Sequence, residues 1–518
     1  MNWIVIGENN GLIQLVSKNQ VSGMLPKGTF LTVEEGESKF LLRVEGSAQL
    51  EPYSPSPLIV DMDLSPLIQD RVCKNLLAAQ RVYSFGLRTD GLIDYIRPQS
   101  TARLSNQAEI DAAMGIASPG PKVFAATVQY EQNQVLKDGN GKPITVTLPT
   151  DMFFHQMLIC GKTGSGKTVS IKYMSQYFVE QFEGAVLAIN VKDVDLLKMD
   201  RASLCPSRDV EVEWAALGEE PHGIQNFVVY YPANTTISPT RRVTPGVCRK
   251  ITLDVTKIDP EALTGIMQNI SDIGAMNFPN IFRYWQEMER ERNDPDTFRF
   301  TNFVQYFCRA EDDKFIFQTL NTRREQSEVR LHRGTFDNIL RNLDVAVEFF
   351  DNKDASVIDE TDILQRGKLS VIDVAGKNGI QFGSIILRDL LHKIVAAKSE
   401  QRSTVPILIV IDEVHQFYNT DASYEALGDL DTICRTGRSQ EIGVIFSSQN
   451  PQDIPRGLSS VINTKIFFKS DASQAKATGV SMSTQEMESL KKGYAVASIH
   501  DLSQLRVLKF PLSFSGVL

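Results

Sequence analysis

Cysteine is scarce and unpatterned in this chain. Its six cysteines, Cys73, Cys160, Cys205, Cys248, Cys308 and Cys434, show no CxxC or CxxxH spacing, which argues against zinc and for thiols kept reduced in a cytosol. Long apolar runs are missing too: no stretch approaches the ~20 apolar residues that span a bilayer. The first residues, Met1 to Glu8, have neither the basic segment nor the apolar core of a secretion signal. A cytoplasmic protein with no membrane partner is expected. Excess basic charge is also lacking, since 63 acidic residues face 54 basic ones for a formal charge of -9. A nucleic-acid partner would therefore have to meet a local basic lining, because the protein as a whole repels phosphate. Internal repeats, low-complexity tracts and metal-ligand clusters are not seen.

What is present is the composition of an ordinary globular protein, 42% hydrophobic and 23% charged over 518 residues, long enough for two or three domains. Up to about residue 60, short β-prone runs at Trp3–Ile6, Leu12–Val16, Thr29–Val33 and Phe40–Val44 alternate with turn clusters such as Asn9-Asn10-Gly11 and Pro26-Lys27-Gly28. That spacing suits a small barrel or sandwich. Ile68–Gln80 can form a helix, and Ala117–Pro121 reads as a linker. The expected division is an N-terminal β-barrel-like domain and connector over 1–115, then a core over 116–518.

Val123–Leu148 reads as a hairpin turning at Asp138–Pro143. Beyond it, continuous apolar runs at Ala185–Ile189, Leu369–Val374, Pro406–Ile411 and Ile442–Ser448 are separated by helix-length segments. This is the mark of a buried parallel sheet, hence an α/β core. Residues of about 258 to 350, rich in helix formers, read as a mainly helical insertion.

The chemistry centres on Met157–Cys160, an apolar strand running into Gly161-Lys162-Thr163-Gly164-Ser165-Gly166-Lys167-Thr168-Val169 and then a helix pattern. Strand, G-x-x-x-x-G-K-T and helix in that order make a loop whose N–H groups face an anion. Lys167 would reach the β- and γ-phosphates of ATP, and Thr168 would ligate Mg²⁺. Ile409–Ile411 runs into Asp412-Glu413: Asp412 suits the metal and Glu413 suits polarisation of the attacking water, on a strand expected to neighbour the loop. Gln449, at the tip of the next strand, is placed to sense the γ-phosphate, although a strand-end glutamine bonded to backbone or solvent fits the same position. Arg435 and Arg438 lie near the end of a helix. Either could stabilise transition-state charge, in cis or across a subunit interface, or simply suit the helix dipole.

Together these motifs resemble a known family. His155 before the phosphate loop, Asp412-Glu413-Val414-His415, Arg435-Thr436-Gly437-Arg438 and Ser447-Ser448-Gln449-Asn450 are similar to the HerA branch of the HerA/FtsK superfamily of DNA-pumping ATPases. Leu490–Ile499 followed by Leu505–Phe510 resembles that family's terminal strand pair, and the β-rich N-terminus resembles its small barrel. The resemblance implies a RecA-like P-loop ATPase core, a hexameric ring with nucleotide at each interface, double-stranded DNA in the pore, and a partner nuclease or defence effector. One departure stands out. Where the family usually has an acidic residue ending the strand after the first helix, this chain has Ile189-Asn190-Val191-Lys192-Asp193.

Candidates for DNA contact are the loop Gly376-Lys377-Asn378-Gly379 and the arginines Arg323, Arg324, Arg330 and Arg333. A solvated helix face laced with i,i+4 pairs would account for the arginines equally well. A different class of answer is a nucleotide-bound ring that scaffolds and activates a partner effector with little translocation.

Overall fold

The computed structural model describes residues 3–17, 24–36, 38–50, 74–86, 94–115, 120–192, 195–234, 243–267, 270–376, 378–417, 430, 433, 436–454, 461–477, 480, 482–502 and 507–518. Six strands come first: Trp3–Asn9 (β1), Leu12–Ser17 (β2), Phe30–Glu35 (β3), Ser38–Leu50 (β4), Lys74–Phe85 (β5) and Thr101–Leu104 (β6). Apolar residues at every second position send Trp3 and Val5, Ile13 and Leu15, and Phe40, Leu42 and Val44 to one buried face. The strands close into a barrel in the order β1-β2-β5-β4-β3-β6. A barrel rather than a sandwich leaves no strand edge open.

Ile68–Gln80 departs from the expected helix. Its described part, Lys74 to Gln80, is strand β5, paired on both sides with β2 and β4. Leucine and alanine favour helix by only tenths of a kcal/mol per residue, and two ladders with a buried inner face outweigh that.

Helix α1 (Gln107–Met114) opens with a reciprocal capping box between Asn106 and Glu109. Glu109 also ties the helix to the barrel, accepting from Thr32 Oγ1 at 2.8 Å and Arg103 Nη2 at 2.6 Å, with Lys39 Nζ at 2.5 Å. Burial favours the neutral acid, but these donors prevail and hold its pKa at about 2.

A 14-stranded mixed sheet forms the rest. Its strands are Lys122–Gln129 (β7), Gln132–Val135 (β8), Thr145–Thr147 (β9), Met157–Cys160 (β10), Ala185–Asn190 (β11), Phe227–Pro232 (β12) and Cys248–Thr252 (β13), then Ser356–Val357 (β16), Leu369–Asp373 (β17), Ile407–Ile411 (β18), Ile442–Ser448 (β19), Thr464–Phe467 (β20), Tyr494–Ser498 (β21) and Val507–Lys509 (β22). A separate hairpin, Ile316–Leu320 (β14) and Gln326–Arg330 (β15), lies outside it. The spatial order is β16-β13-β12-β17-β11-β18-β19-β10-β20-β21-β22-β7-β8, with β9 also on β7. Every pairing from β16 to β20 is parallel, and those from β20 to β8 are antiparallel. Strands β10, β11, β17, β18 and β19 are buried along their whole length, which is why they read as continuous apolar runs.

The hairpin expected over 123–148 is more elaborate than its sequence suggests. β7 turns at Tyr130-Glu131, both at positive φ (51° and 64°), into β8, and its first residues then pair with β9. The Asp138–Pro143 segment joins β8 to β9 instead. Tyr-Glu lacks the glycine and asparagine that usually mark such a turn.

Further helices are α2 (Lys167–Glu180), α3 (Arg208–Leu217), α4 (Asp272–Arg292), α5 (Phe300–Arg309), α6 (Arg333–Ala346), α7 (Glu360–Ile363) and α8 (Gly379–Ser399). α4, α5 and α6 pack through Phe278, Phe282, Trp285, Phe303, Phe307 and Phe336 into the same core as the sheet. The β14–β15 hairpin lies among them, so Arg323, Arg324 and Arg330 stand on its turn and outer strand, not on the helix face considered from sequence; Arg333 begins α6. Among the described residues no helix is long and apolar enough to cross a membrane.

Candidate active site

The phosphate loop joins β10 to α2, as its sequence predicts. Three segments, the end of β19, the residues after β20 and the turn before β21, pin it from behind: Gly161 N donates to Ser448 O (3.3 Å), Lys162 N to Lys469 O (2.8 Å), and Gly493 N to Ser165 O (2.9 Å). Gly166 sits at φ 115°, and a Cβ there would lie 2.9 Å from Gly493 N, so only glycine fits between loop and buttress. The terminal strand pair, β21 and β22, thus supports the nucleotide loop through the turn at Gly493. Lys162, Thr163 and Gly164 form the exposed tip, and Thr168 and Val169 lie half-buried in the first turn of α2.

Lys167 is buried and donates to Gly161 O at 2.6 Å, so its ammonium is folded back onto the loop. Burial lowers its pKa, against the pull of Glu413. Ser165 Oγ is buried with no partner, an unused polar group inside the anion cradle.

Asp412 and Glu413 follow the C-terminal end of β18. One expectation is corrected: β18 is not the loop strand's immediate neighbour, because β19 lies between them, paired with β18 on one side and β10 on the other. This order places the tip of β19, and with it Gln449, between the loop and the acidic pair. Ser447 Oγ donates to Asp412 Oδ1 at 2.7 Å, and Gln449 Nε2 donates to Glu413 Oε1 at 3.1 Å. Glu413 is 1% exposed and holds a left-handed backbone conformation, φ 46° and ψ 55°, which costs a non-glycine residue energy and marks functional sites. Its Oε2 is buried without a hydrogen-bond partner.

Lys192 is the residue whose part sequence reasoning missed. Its Nζ lies 2.7 Å from Glu413 Oε1 and 3.8 Å from Asp412 Oδ2. The available signal was its place two residues beyond β11, a strand that proves to neighbour β18. Burial raises the Asp412 pKa, with Lys192 opposing it. For Glu413, burial is outweighed by the hydrogen bonds from Lys192 and Gln449, and its pKa falls. For Lys192, burial is outweighed by Asp412 and Glu413, and its pKa rises.

The departure at Asn190 also gains a physical reason. Its Nδ2 donates to Asp373 Oδ1 (3.0 Å) and to Lys192 O (2.6 Å), while its Oδ1 accepts from Leu196 N (3.1 Å). Asp373, ending β17 beside it, already supplies a buried carboxylate, and an amide is what can bridge it to the Lys192 backbone.

Other predicted residues fall elsewhere. Arg438 precedes β19 and is exposed; the seven residues of that strand separate it from Gln449, about 20 Å at strand rise. It therefore cannot reach its own chain's phosphate loop. His155, before β10, is at this same far edge, its ring stacked on His500 with centroids 3.5 Å apart. Burial, His500 and Arg438 all lower its pKa. His415 stands near the site, with Nδ1 3.7 Å from Glu413 Oε2 and 3.5 Å from Asp453 Oδ2. Arg435 and Lys377 lie outside the described residues.

No family model matches the chain. Over 133 residues it is 26% identical to the DNA double-strand break repair helicase HerA of Sulfurisphaera tokodaii, a match covering 24% of this chain and 27% of that protein. The chain thus spans about a quarter of the length of this curated relative. Solved structures that the chain matches include VirB4 of Thermoanaerobacter pseudethanolicus, at 13% identity over 76% of this chain and 96% of that one with a TM-score of 0.45. Another is the bacterial conjugative coupling protein TrwBΔN70, at 11% identity over 80% and 92% with a TM-score of 0.49. The partial sequence match to HerA agrees with the resemblance carried by the phosphate loop and the Asp412-Glu413 pair, and together they support a P-loop ATPase of the HerA/FtsK type.

Proposed function

We propose that this chain hydrolyses ATP to move along double-stranded DNA, as a cytoplasmic ring of six subunits working with a partner nuclease or defence effector. The observation that carries the hydrolytic part is Glu413: buried, its Oε1 oriented by Gln449 and Lys192, its Oε2 without a hydrogen-bond partner and with His415 Nδ1 3.7 Å away. That free oxygen is suited to accept a proton from water attacking the γ-phosphate. Lys167 and the loop from Gly161 to Val169 would bind the phosphates, and Gln449 would orient the water. Thr168 and Asp412 would hold Mg²⁺, which fits a site whose buried carboxylate already faces a cation. When bound, the metal neutralises phosphate charge.

Arg438 is too far from its own loop to act in cis, and supplying a neighbour's site in a ring is the role its position supports. The net charge of -9 favours a second reading, in which the nucleotide-bound ring mainly scaffolds and activates its partner. DNA dependence separates the two. With partner present, linear duplex DNA raises ATP turnover several-fold if the chain is a motor. Equal rates with and without DNA across a salt series would remove translocation and leave the scaffold.

A further inference from the structure

Resting on the reading that Asp412 takes the metal, we propose that Lys192 is a built-in competitor for that site: its ammonium stands in for the divalent cation in the free protein and is displaced when metal and nucleotide arrive. Asp412 and Glu413 are adjacent in sequence and 4% and 1% exposed. Two carboxylates so buried need a counter-charge. Lys167 does not contact them directly, since its Nζ is bonded to Gly161 O. Lys192 serves instead, at hydrogen-bond distance from Glu413 Oε1 but 3.8 Å from Asp412 Oδ2. The looser arm of this clamp is the one on the proposed metal ligand.

The neighbourhood is built for that exchange. The Lys192 backbone is fixed, because Asn190 Nδ2 holds its carbonyl oxygen at 2.6 Å, so movement falls to the flexible side chain. That side chain is 36% exposed, and Asp195 Oδ2, on a side chain a third exposed, lies 4.0 Å from its Nζ. Asp195 is a ready alternative partner for the displaced ammonium. Once released from Asp412, Lys192 can stay on Glu413 Oε1 or pass to Asp195, and in either case Asp412 Oδ2 is open. The consequence is an elevated metal requirement, which keeps the acidic pair neutralised until the metal is present.

The test is a Mg²⁺ titration of fluorescent ADP binding by the full chain, a readout independent of turnover. Lys192→Met removes the ammonium and its charge and keeps the unbranched stem. It should lower the Mg²⁺ concentration for half-saturation by about tenfold, the least that an opposite charge this close contributes to a carboxylate. Asp195→Asn removes the landing partner and should raise it. An unchanged or raised requirement in Lys192→Met overturns the proposal, as does a lowered one in Asp195→Asn, which also decides the matter if the first variant does not fold. Asp412→Asn tells the two levels apart. If it titrates like the unmodified chain, the metal reading itself fails; if it loses the Mg²⁺ response while Lys192→Met does not shift it, only the competition fails.

Discussion

Replacing Asn190 with Asp, the residue type the family usually has there, should destabilise this protein, and the structure says by how much. The change removes two donor bonds, to Asp373 Oδ1 at 3.0 Å and to Lys192 O at 2.6 Å, and keeps only the bond accepted from Leu196 N. If both carboxylates stayed charged at 3 Å, their repulsion at an effective dielectric of 20 would be about 5.5 kcal/mol. Protonating one of them at pH 7, from a reference pKa of about 4, costs about 4 kcal/mol. Protonation is the cheaper escape and sets the scale: a loss of about 4 kcal/mol at pH 7. The sign with pH follows, because the new carboxyl has a raised pKa in the folded state. It binds a proton that the unfolded chain has given up, so the deficit is small near pH 4 and grows as pH rises towards the folded pKa. At pH 5.5 it should be about 2 kcal/mol. Thermal unfolding of Asn190→Asp and the unmodified chain at pH 5.5 and 7.5 checks both size and direction. Equal midpoints at pH 7.5, or a deficit that widens on acidification, would refute the reasoning.

Two further outcomes follow from the loop and from the far edge of the sheet. Gly166→Ala forces a left-handed residue against Gly493 N, at about 2 kcal/mol or more for conformation and overpacking together, so ATP-analogue affinity should fall by about thirtyfold; unchanged binding would mean the buttress is soft. Arg438→Ala should leave nucleotide binding intact while depressing turnover, and mixing it with Lys167→Ala subunits should restore part of the rate, since each variant spoils a different half of a shared site; failure to recover under mixing would deny the interface role.

Much of this arrangement is legible in the sequence where one short segment carries its own chemistry. The loop at Gly161–Thr168 and the acidic pair at Asp412-Glu413 announce themselves because strand, turn and helix residues are contiguous, and buried parallel strands read as unbroken apolar runs. Four of the six barrel strands, β1 to β4, are visible for the same local reason, as short β-prone runs between turn residues. What fails to show is adjacency. Nothing in Ile442–Ser448 says that β19 separates β10 from β18, and nothing near Lys192 says that β11 lies beside β18 and delivers its ammonium to Glu413. β5 misleads because its leucines and alanines suit a helix until β2 and β4 are laid alongside it, and the Tyr130-Glu131 turn is concealed by residues that seldom make one.

The central claim is that Glu413 activates water in an otherwise complete nucleotide site. Glu413→Gln keeps the shape and the neighbouring amide but removes the base. ATP hydrolysis and ATP-analogue affinity measured side by side on this variant should show turnover abolished with binding retained. Turnover close to that of the unmodified chain would contradict the account, however well the variant binds nucleotide.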